Sequence, residues 1–293
     1  MTRVGSAAPE GLLPIDKPGG ITSHDAIDRI RRALGTRKVG HAGTLDPMAT
    51  GLLLVGVGRA TRLLRFLSEL DKTYEGTALL GVETDTLDAD GQVTRTSDPS
   101  SVTPDSLRAA MSDLEGDSLQ RPPAYSAVKV GGRKLYEAAR AGLALEADAR
   151  PIRVRHFELL RHAGDVVDFR VTCSTGTYVR VLLAEVGVQV GSGAHLVRLR
   201  RTAIGPFEVA GARDPDAPGA PLPVERAVSH LPRLVLEHEE TVAASHGRVL
   251  APLGIDGPYG VFGDDGSFIG VYEDAGGMSR PLVILAPGDR PTG

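Results

Sequence analysis

The spacing of apolar and polar positions divides the chain into a mixed helix-and-strand body and a late β appendage. "GLLPIDKP" is a short apolar strand, closed by Pro18 and the Gly19-Gly20 pair. "TSHDAIDRIRRALG" then places Ala26, Ile27, Ile30, Ala33 and Leu34 on one helical face. Thr22 or Ser23 supplies its N-cap, Asp25 an acid in the first turn, and Gly35 a stop. The loop "GHAGTLDPMAT" leads into the apolar strand "GLLLVGVG", and "ATRLLRFLSEL" follows as a short helix. "TYEGTALLGV" reads as a strand, and Asp90-Gly91 in "DTLDADGQV" suits a hairpin. "TPDSLRAAMSDLEG" is a helix with Thr103 as cap, Pro104 in the first turn and Gly116 at its end.

The second half continues in the same way. "QRPPAYSAVKVGGRKLYEAARAG" begins extended and exposed and ends in a short helix. "PIRVRHFELLRH" and "VVDFRVTCSTG" alternate apolar with polar residues, as paired strands do. "TYVRVLLAEVGVQVG" is a helix and "HLVRLRRTAIGPF" a strand region. "ARDPDAPGAPLP" has the composition of a linker, with the short helix "VERAVSHL" after it. From about Arg233 onward come the strand-like pieces "RLVL", "GRVLAPLG", "YGVFG", "FIGVYE" and "PLVIL". Neighbouring strands often come in pairs, so parallel βαβ winding is disfavoured and an α+β fold is expected.

Composition adds limits. A length of 293 residues suits two domains, and 41% hydrophobic residues suffice for a core. Cys173 is the single cysteine, which leaves no intrachain disulfide and fits a reducing cytoplasm. "MTRVGSAAPEG" lacks the apolar core of a signal peptide, and Arg59, Arg62 and Arg65 break the longest apolar run, so no membrane span is expected. The net charge of -4 argues against a nucleic-acid binder, but its distribution does not. Residues 1–65 and 121–202 carry excess Lys and Arg, while 66–120 and 203–293 carry excess Asp and Glu. Basic segments that met in space would present a face to a polyanion; the alternative is ordinary fluctuation over a solvated surface.

The chemistry centres on Asp46 in "GHAGTLDPMATGLL". Gly43 frees the backbone before it, and Pro47 pushes Asp46 away from helical conformation. A turn-forming Asp-Pro is one reading. The other is a directed carboxylate. A glycosidase needs a second acid, and none stands in the loop. The scattered histidines give no metal-ligand spacing, and "GVGRAT" lacks the ending of a phosphate loop. What remains is an ionised acid acting as nucleophile without metal or cofactor, for which a nearby arginine is expected.

At this point the residues resemble a family. "LLPIDKPGGITSHDAI", "GHAGTLDPMATGLL", "KTYEG", "DTLDADG", "RPPAYSAVKVGGRKLYEAARAG", "CSTGTYVR" and "GAHLVRLRRTAIGPF" match, in order over roughly residues 11–207, the motifs of the TruB family of bacterial tRNA pseudouridine synthases. The resemblance implies a catalytic domain of pseudouridine synthase type over residues 1–230, with a mixed, largely antiparallel sheet and an RNA-clamping segment at about 121–150. A small PUA-like β domain is implied over residues 231–293. It implies isomerisation of uridine 55 in the T-loop of tRNA: the C1′–N1 bond breaks, uracil rotates in place, and a C1′–C5 bond forms. No cofactor or metal is implied, nor an obligate protein partner; a cytoplasmic monomer acting on the T-arm stem-loop is expected.

By motif position, Asp46 is the essential carboxylate and Arg180 its partner. Tyr74 stacks on the flipped uracil and is a candidate base for the C5 proton. Tyr178 and Leu199 line the uracil pocket. His41 helps splay the T-loop by filling the space a flipped base leaves. Lys17 joins the substrate-binding set, with a structural or phosphate-facing role, and Asp90 is matched as structural. Arg32, Arg37, Lys38, Lys129, Arg133, Lys134 and Arg201 are the candidate RNA contacts. A pure RNA-binding module and another base-modifying enzyme are the competing classes; a pure binder would not require Asp46, Tyr74 and Arg180 together.

Overall fold

The computed structural model describes residues 8–143 and 145–285. Residues 1–7, where the signal-peptide pattern is missing, and 286–293, the end of the expected C-terminal domain, lie outside the described residues. The apolar N-terminal run forms β1 (Gly11–Lys17) and the amphipathic segment forms α1 (Ser23–Leu34). α1 opens in a capping box. The Thr22 hydroxyl accepts from the Asp25 amide at 3.0 Å, and the Asp25 carboxylate accepts from the Thr22 amide at 2.8 Å. Such a cap contributes ~1 kcal/mol. Ala26, Ile27 and Ile30 pack beneath the helix with Leu13, Ile15, Leu53 and Val55.

β2 (Val39–Ala42) and β3 (Thr50–Val57) flank the Asp46 loop. A 3₁₀ turn then runs into α2 (Leu64–Ser68). β4 (Lys72–Leu80) alternates buried and half-buried residues along its whole length. β5 (Val82–Thr84) and β6 (Val93–Thr96) form the expected hairpin, but residues 85–92 close it as a broad loop instead of a tight Asp90-Gly91 turn. Asp88 organises that loop: its Oδ1 accepts from Thr86 Oγ1 at 2.6 Å and from the Asp90 amide at 3.2 Å. α3 (Pro104–Asp113) ends before Gly116, which instead opens β7 (Gly116–Gln120). A small hairpin, β8 (Lys129–Val130) and β9 (Arg133–Lys134), leads into α4 (Leu135–Arg140). β10 (Arg150–Ala163), β11 (Val166–Cys173), α5 (Val179–Gln189), β12 (Ala194–Ile204) and β13 (Phe207–Glu208) complete the body.

The main sheet runs β1-β3-β12-β4-β11-β10-β7, with β2 on β3 and β13 on β12. β3 and β12 are parallel, and the other pairings in this sheet are antiparallel. The fold is therefore the mixed, largely antiparallel one expected. On one face α3 and α5 bury Leu107, Met111, Leu182 and Val186 against Phe157 and Phe169. The alternate positions carry ion pairs: Arg155 with Asp71 at 2.9 Å, Arg170 with Glu75 at 2.7 Å, and Arg153 with Asp117. These pairs join the basic segment 121–202 to the acidic segment 66–120, so part of the positive charge counted along the sequence is cancelled in space.

β14 (Arg233–Val235), β15 (Pro258–Phe262), β16 (Phe268–Ala275) and β17 (Met278–Ile284) form a separate four-stranded sheet. "GRVLAPLG" contributes only an isolated bridge, Leu250 to Ser279. α6 (His238–Ser245) had no sequence signal, because it lacks an apolar stripe and buries only Ala244. Val271, Val283 and Leu285 share a core with Leu12, Leu52 and Phe66 of the body. The segment read as a linker is laid along the free edge of β1. Asp16 N donates to Arg213 O at 2.8 Å, and Leu12 N to Leu222 O at 3.0 Å. It covers an edge that would otherwise stay open. Among the described residues no helix is long and apolar enough to cross a membrane.

Gly51 sits at the parallel junction with φ 105°, where a Cβ would lie 2.3 Å from Arg201 O. Gly51→Ala should therefore cost more than ~2 kcal/mol by urea unfolding. Gly131→Ala, with φ 59° but open space around it, should cost about half of that or less. Equal costs would mean that close approach is not what demands Gly51.

Candidate active site

In the loop between β2 and β3 the carbonyls from Gly43 to Pro47 are all tethered. Ser23 Oγ accepts from Leu45 N at 2.9 Å and donates to Leu45 O at 3.2 Å. Pro47 O accepts from Gly20 N at 2.9 Å and from Lys17 Nζ at 3.3 Å. Ala49 N donates to Asp46 O at 3.1 Å. Gly43, at φ 84°, turns the chain into this arrangement. The result holds the Asp46 backbone while leaving its side chain about 45% exposed.

Arg180 comes from the first turn of α5. Gln120 fixes that helix end, accepting from Tyr178 N at 2.7 Å and donating to Tyr178 O at 3.2 Å. Arg180 is buried, and its Nη2 lies 3.3 Å from Asp46 Oδ2. It also donates to Thr86 O at 3.1 Å and Tyr125 O at 2.8 Å. On its other side, Asp88 Oδ2 stands 3.6 Å from Nη1. The guanidinium thus faces two carboxylates, one open to the cleft and one buried. The sequence does not single out Asp88: "DTLDADG" holds three acids, and the motif match falls on Asp90, as structural.

Asp46, Tyr74, Tyr178, Arg180 and Leu199 line one cleft of about 240 Å³, with Lys72, Ser126 and Arg201. Tyr74 stands on β4, where burial pushes its phenol up and the charge of Arg201 opposes that. His41 stands on β2 just before the loop and is not among the cleft-lining residues. Burial, then the charge of Arg201, hold its imidazole below the usual range, and its Nδ1 is buried without a hydrogen-bond partner. Among the described residues no group of three or more His, Cys, Asp or Glu is placed to hold a metal ion.

Two expectations are narrowed. Lys17 is 0% exposed, and its Nζ donates to Pro18 O, Ile21 O and Pro47 O, so it braces the loop, the structural one of its two expected roles. Arg201 is 1% exposed; strand alternation sends Arg200 outward to Asp16 and Arg201 inward beneath the loop. It is not an outer phosphate contact. Arg32, Arg37, Lys38, Lys129 and Arg133 are exposed. Lys134 is half-buried and paired with Tyr136 and Glu137.

The chain matches two family models: "TruB family pseudouridylate synthase (N terminal domain)" over residues 31–179 and "tRNA Pseudouridine synthase II, C terminal" over 231–286. It is 45% identical to the tRNA pseudouridine synthase B of Mycobacterium sp. (strain KMS), over 97% of this chain and 98% of that one. The tRNA pseudouridine synthase B of Mycobacterium tuberculosis (strain ATCC 25618 / H37Rv) is 43% identical, over 96% and 98%. Among solved structures, it resembles a chain of an H/ACA RNP bound to a substrate RNA containing 2′-deoxyuridine. The TM-score is 0.71 at 25% identity, over 95% of this chain and 86% of that one. A chain of a Cbf5-Nop10-Gar1 complex gives 0.67 at 27% identity, over 93% and 84%.

The buried lysines make the site's charge measurable. Burial pushes Lys17 down to about 8, with Asp46 opposing. Lys72 is also pushed down to about 8 by burial, helped by the charge of Arg201. Between that value and the ordinary 10.5 the unfolded chain binds more protons than the folded one, so the lysine contribution to stability rises with pH. Burial pushes Cys173 up to about 12, which works in the opposite direction above its ordinary 9.0. The window is therefore about pH 8 to 9. Lys72→Met should gain less stability than the native chain across it, by up to ~1 kcal/mol in urea unfolding. Parallel pH profiles would show that Lys72 titrates as a free lysine.

Proposed function

Since this chain belongs to the TruB family of tRNA pseudouridine synthases, which are isomerases, we propose that it converts uridine 55 in the T-loop of tRNA to pseudouridine. In this reading the target base flips into the cleft, Asp46 is the catalytic carboxylate, and no cofactor takes part. The observation that carries it is the Asp46–Arg180 pair at 3.3 Å, at a cleft that Tyr74, Tyr178 and Leu199 also line. Tyr74 is 9% exposed, so a base must leave its stack to reach it. Stacking on such an aromatic is worth ~1–3 kcal/mol. The chemistry is redox-neutral: C1′–N1 breaks, C1′–C5 forms, the C5 proton leaves and N1 takes one up. Tyr74 can take the C5 proton only as a phenolate, so its own proton must leave first. N1, which takes one up, is the acceptor that balances the step, and the charge of Arg201 favours the phenolate against burial. His41, beside the loop, fills the space the flipped base vacates.

Residues 1–230 form the catalytic unit in this reading. The β8–β9 hairpin lies within its clamping segment at about 121–150, and residues 231–293 form a PUA-like unit that extends the RNA contact. A monomer acting on the T-arm in the cytoplasm completes this reading. Phosphate contacts are assigned to Arg32, Arg37, Lys38, Lys129 and Arg133, with Lys134 beside them.

Asp46→Asn should abolish tritium release from C5-labelled uridine in tRNA, with tRNA affinity within a few-fold of native. Mapping pseudouridine in tRNA after incubation with the native chain should place it at position 55; a different position would refute the assigned specificity. Retained turnover in Asp46→Asn would remove the catalytic assignment. Binding should weaken steeply with salt, and Lys129→Ala/Arg133→Ala should reduce the log–log slope by about two. Arg170→Ala, whose charge is already paired, should leave the slope unchanged. A slope insensitive to the hairpin would take that hairpin off the RNA.

A further inference from the structure

Arg201 is a buried cation that the proposed chemistry leaves without a task. Its Nε donates to Leu52 O at 2.7 Å, Nη2 to Gly43 O at 3.0 Å, and Nη1 reaches Thr44 O at 3.5 Å. Among the described residues it forms no ion pair with a carboxylate. Removing a guanidinium from water costs several kcal/mol, and here main-chain carbonyls, with the Tyr74 phenol beside them, compensate. Those carbonyls are not scattered. Gly43 and Thr44 open the Asp46 loop, and Leu52 lies just after it in β3. One rigid, planar fork therefore ties both ends of the loop to β12, which a lysine's single point charge cannot do.

We infer that Arg201 is a positioning residue for the reaction: it ties Gly43 and Thr44 at one end of the Asp46 loop and Leu52 just beyond the other, so that the Asp46 carboxylate stays against Arg180, and it is not a phosphate contact on the outer surface. The inference rests on Asp46 being the catalytic carboxylate. A displacement of about 1 Å at a reacting group can cost ~100-fold in rate, so loosening either end of the loop should reach the chemistry. The clamp also accounts for Gly51. The loop ends can share one guanidinium only if β3 and β12 run close together, and a side chain at Gly51 would force them apart.

The test compares Arg201→Lys, Arg201→Ala and Asp46→Asn in the full chain. Three readouts are needed: single-turnover tritium release at saturating enzyme, tRNA affinity, and thermal melting, with kinetics run well below the lowest melting temperature. Arg201→Lys should melt cooperatively and bind tRNA within about threefold of native, while its single-turnover rate falls at least ~30-fold. Arg201→Ala should recover at least ~10-fold with guanidinium ion at about 10–50 mM and not with sodium at the same ionic strength. A lower melting temperature with a native single-turnover rate in Arg201→Lys would make the residue merely structural and overturn the inference. Weakened tRNA affinity with an unchanged rate at saturation would make it an RNA contact and overturn it equally. Turnover in Asp46→Asn would instead remove the premise. If Arg201→Ala does not fold, Arg201→Lys decides alone.

Discussion

Where β3 crosses β12, the two backbones approach so closely that a methyl group on Gly51 would lie 2.3 Å from the Arg201 carbonyl oxygen. This is the parallel pairing in an otherwise antiparallel main sheet. It joins the β1–β3 part of the sheet, which carries the Asp46 loop, to the β4–β11–β10 part, which carries Tyr74. α5, which carries Arg180, packs on β12 and the adjoining core. The residues that line the cleft thus reach it through one junction, and the glycine is the condition for the two halves to meet.

Much of this was legible. The helical stripe of α1, its cap and its stop follow from residues next to one another, and the structure keeps them except at Ala33, which is exposed. The paired strands β10 and β11 were readable from period-two alternation for the same reason. What could not be read is whatever depends on which distant strands touch. Arg200 and Arg201 are adjacent and chemically identical, yet one pairs with Asp16 outside and the other is sealed under a loop. Asp88 and Asp90 stand in one motif, and only the fold of residues 85–92 brings Asp88 to Arg180. α6 was missed because its helix rests on tertiary contact and shows no stripe of its own.

Charge counted along the chain misleads for a related reason. The basic excess of residues 121–202 includes Arg153, Arg155 and Arg170, each of which meets an acid of residues 66–120 across the sheet. Exposed pairs of this kind are worth only ~0–1 kcal/mol, so their effect on stability is small. Their effect on long-range potential is larger, since a paired arginine no longer attracts a phosphate as a free one does. Of the exposed cations assigned to RNA, Arg32 stands in the last turn of α1, Arg37 and Lys38 follow that helix, and Lys129 and Arg133 stand on the β8–β9 hairpin, all outside that face. The positive surface is therefore narrower than the sequence suggested.

The buried cations around the cleft divide by partner, and the division has a physical consequence. Arg180 meets the carboxylates of Asp46 and Asp88. Lys17, Lys72 and Arg201 meet main-chain carbonyls instead: Lys72 Nζ donates to Ser68 O at 2.5 Å, and the other two hold the loop. A carbonyl satisfies an N–H as well as a carboxylate does, but it leaves the net charge uncancelled. Positive charge therefore persists below the cleft, where low dielectric makes it felt over longer distances than at the surface. Burial already drives both lysines down to about 8, so the fold tolerates these charges at a cost. A core with acids in place of the carbonyls would bear less of that cost, but it would set competing negative groups beside Asp46 and an incoming polyanion. Carbonyl partners brace the loop without that competition, so one set of contacts serves both geometry and field.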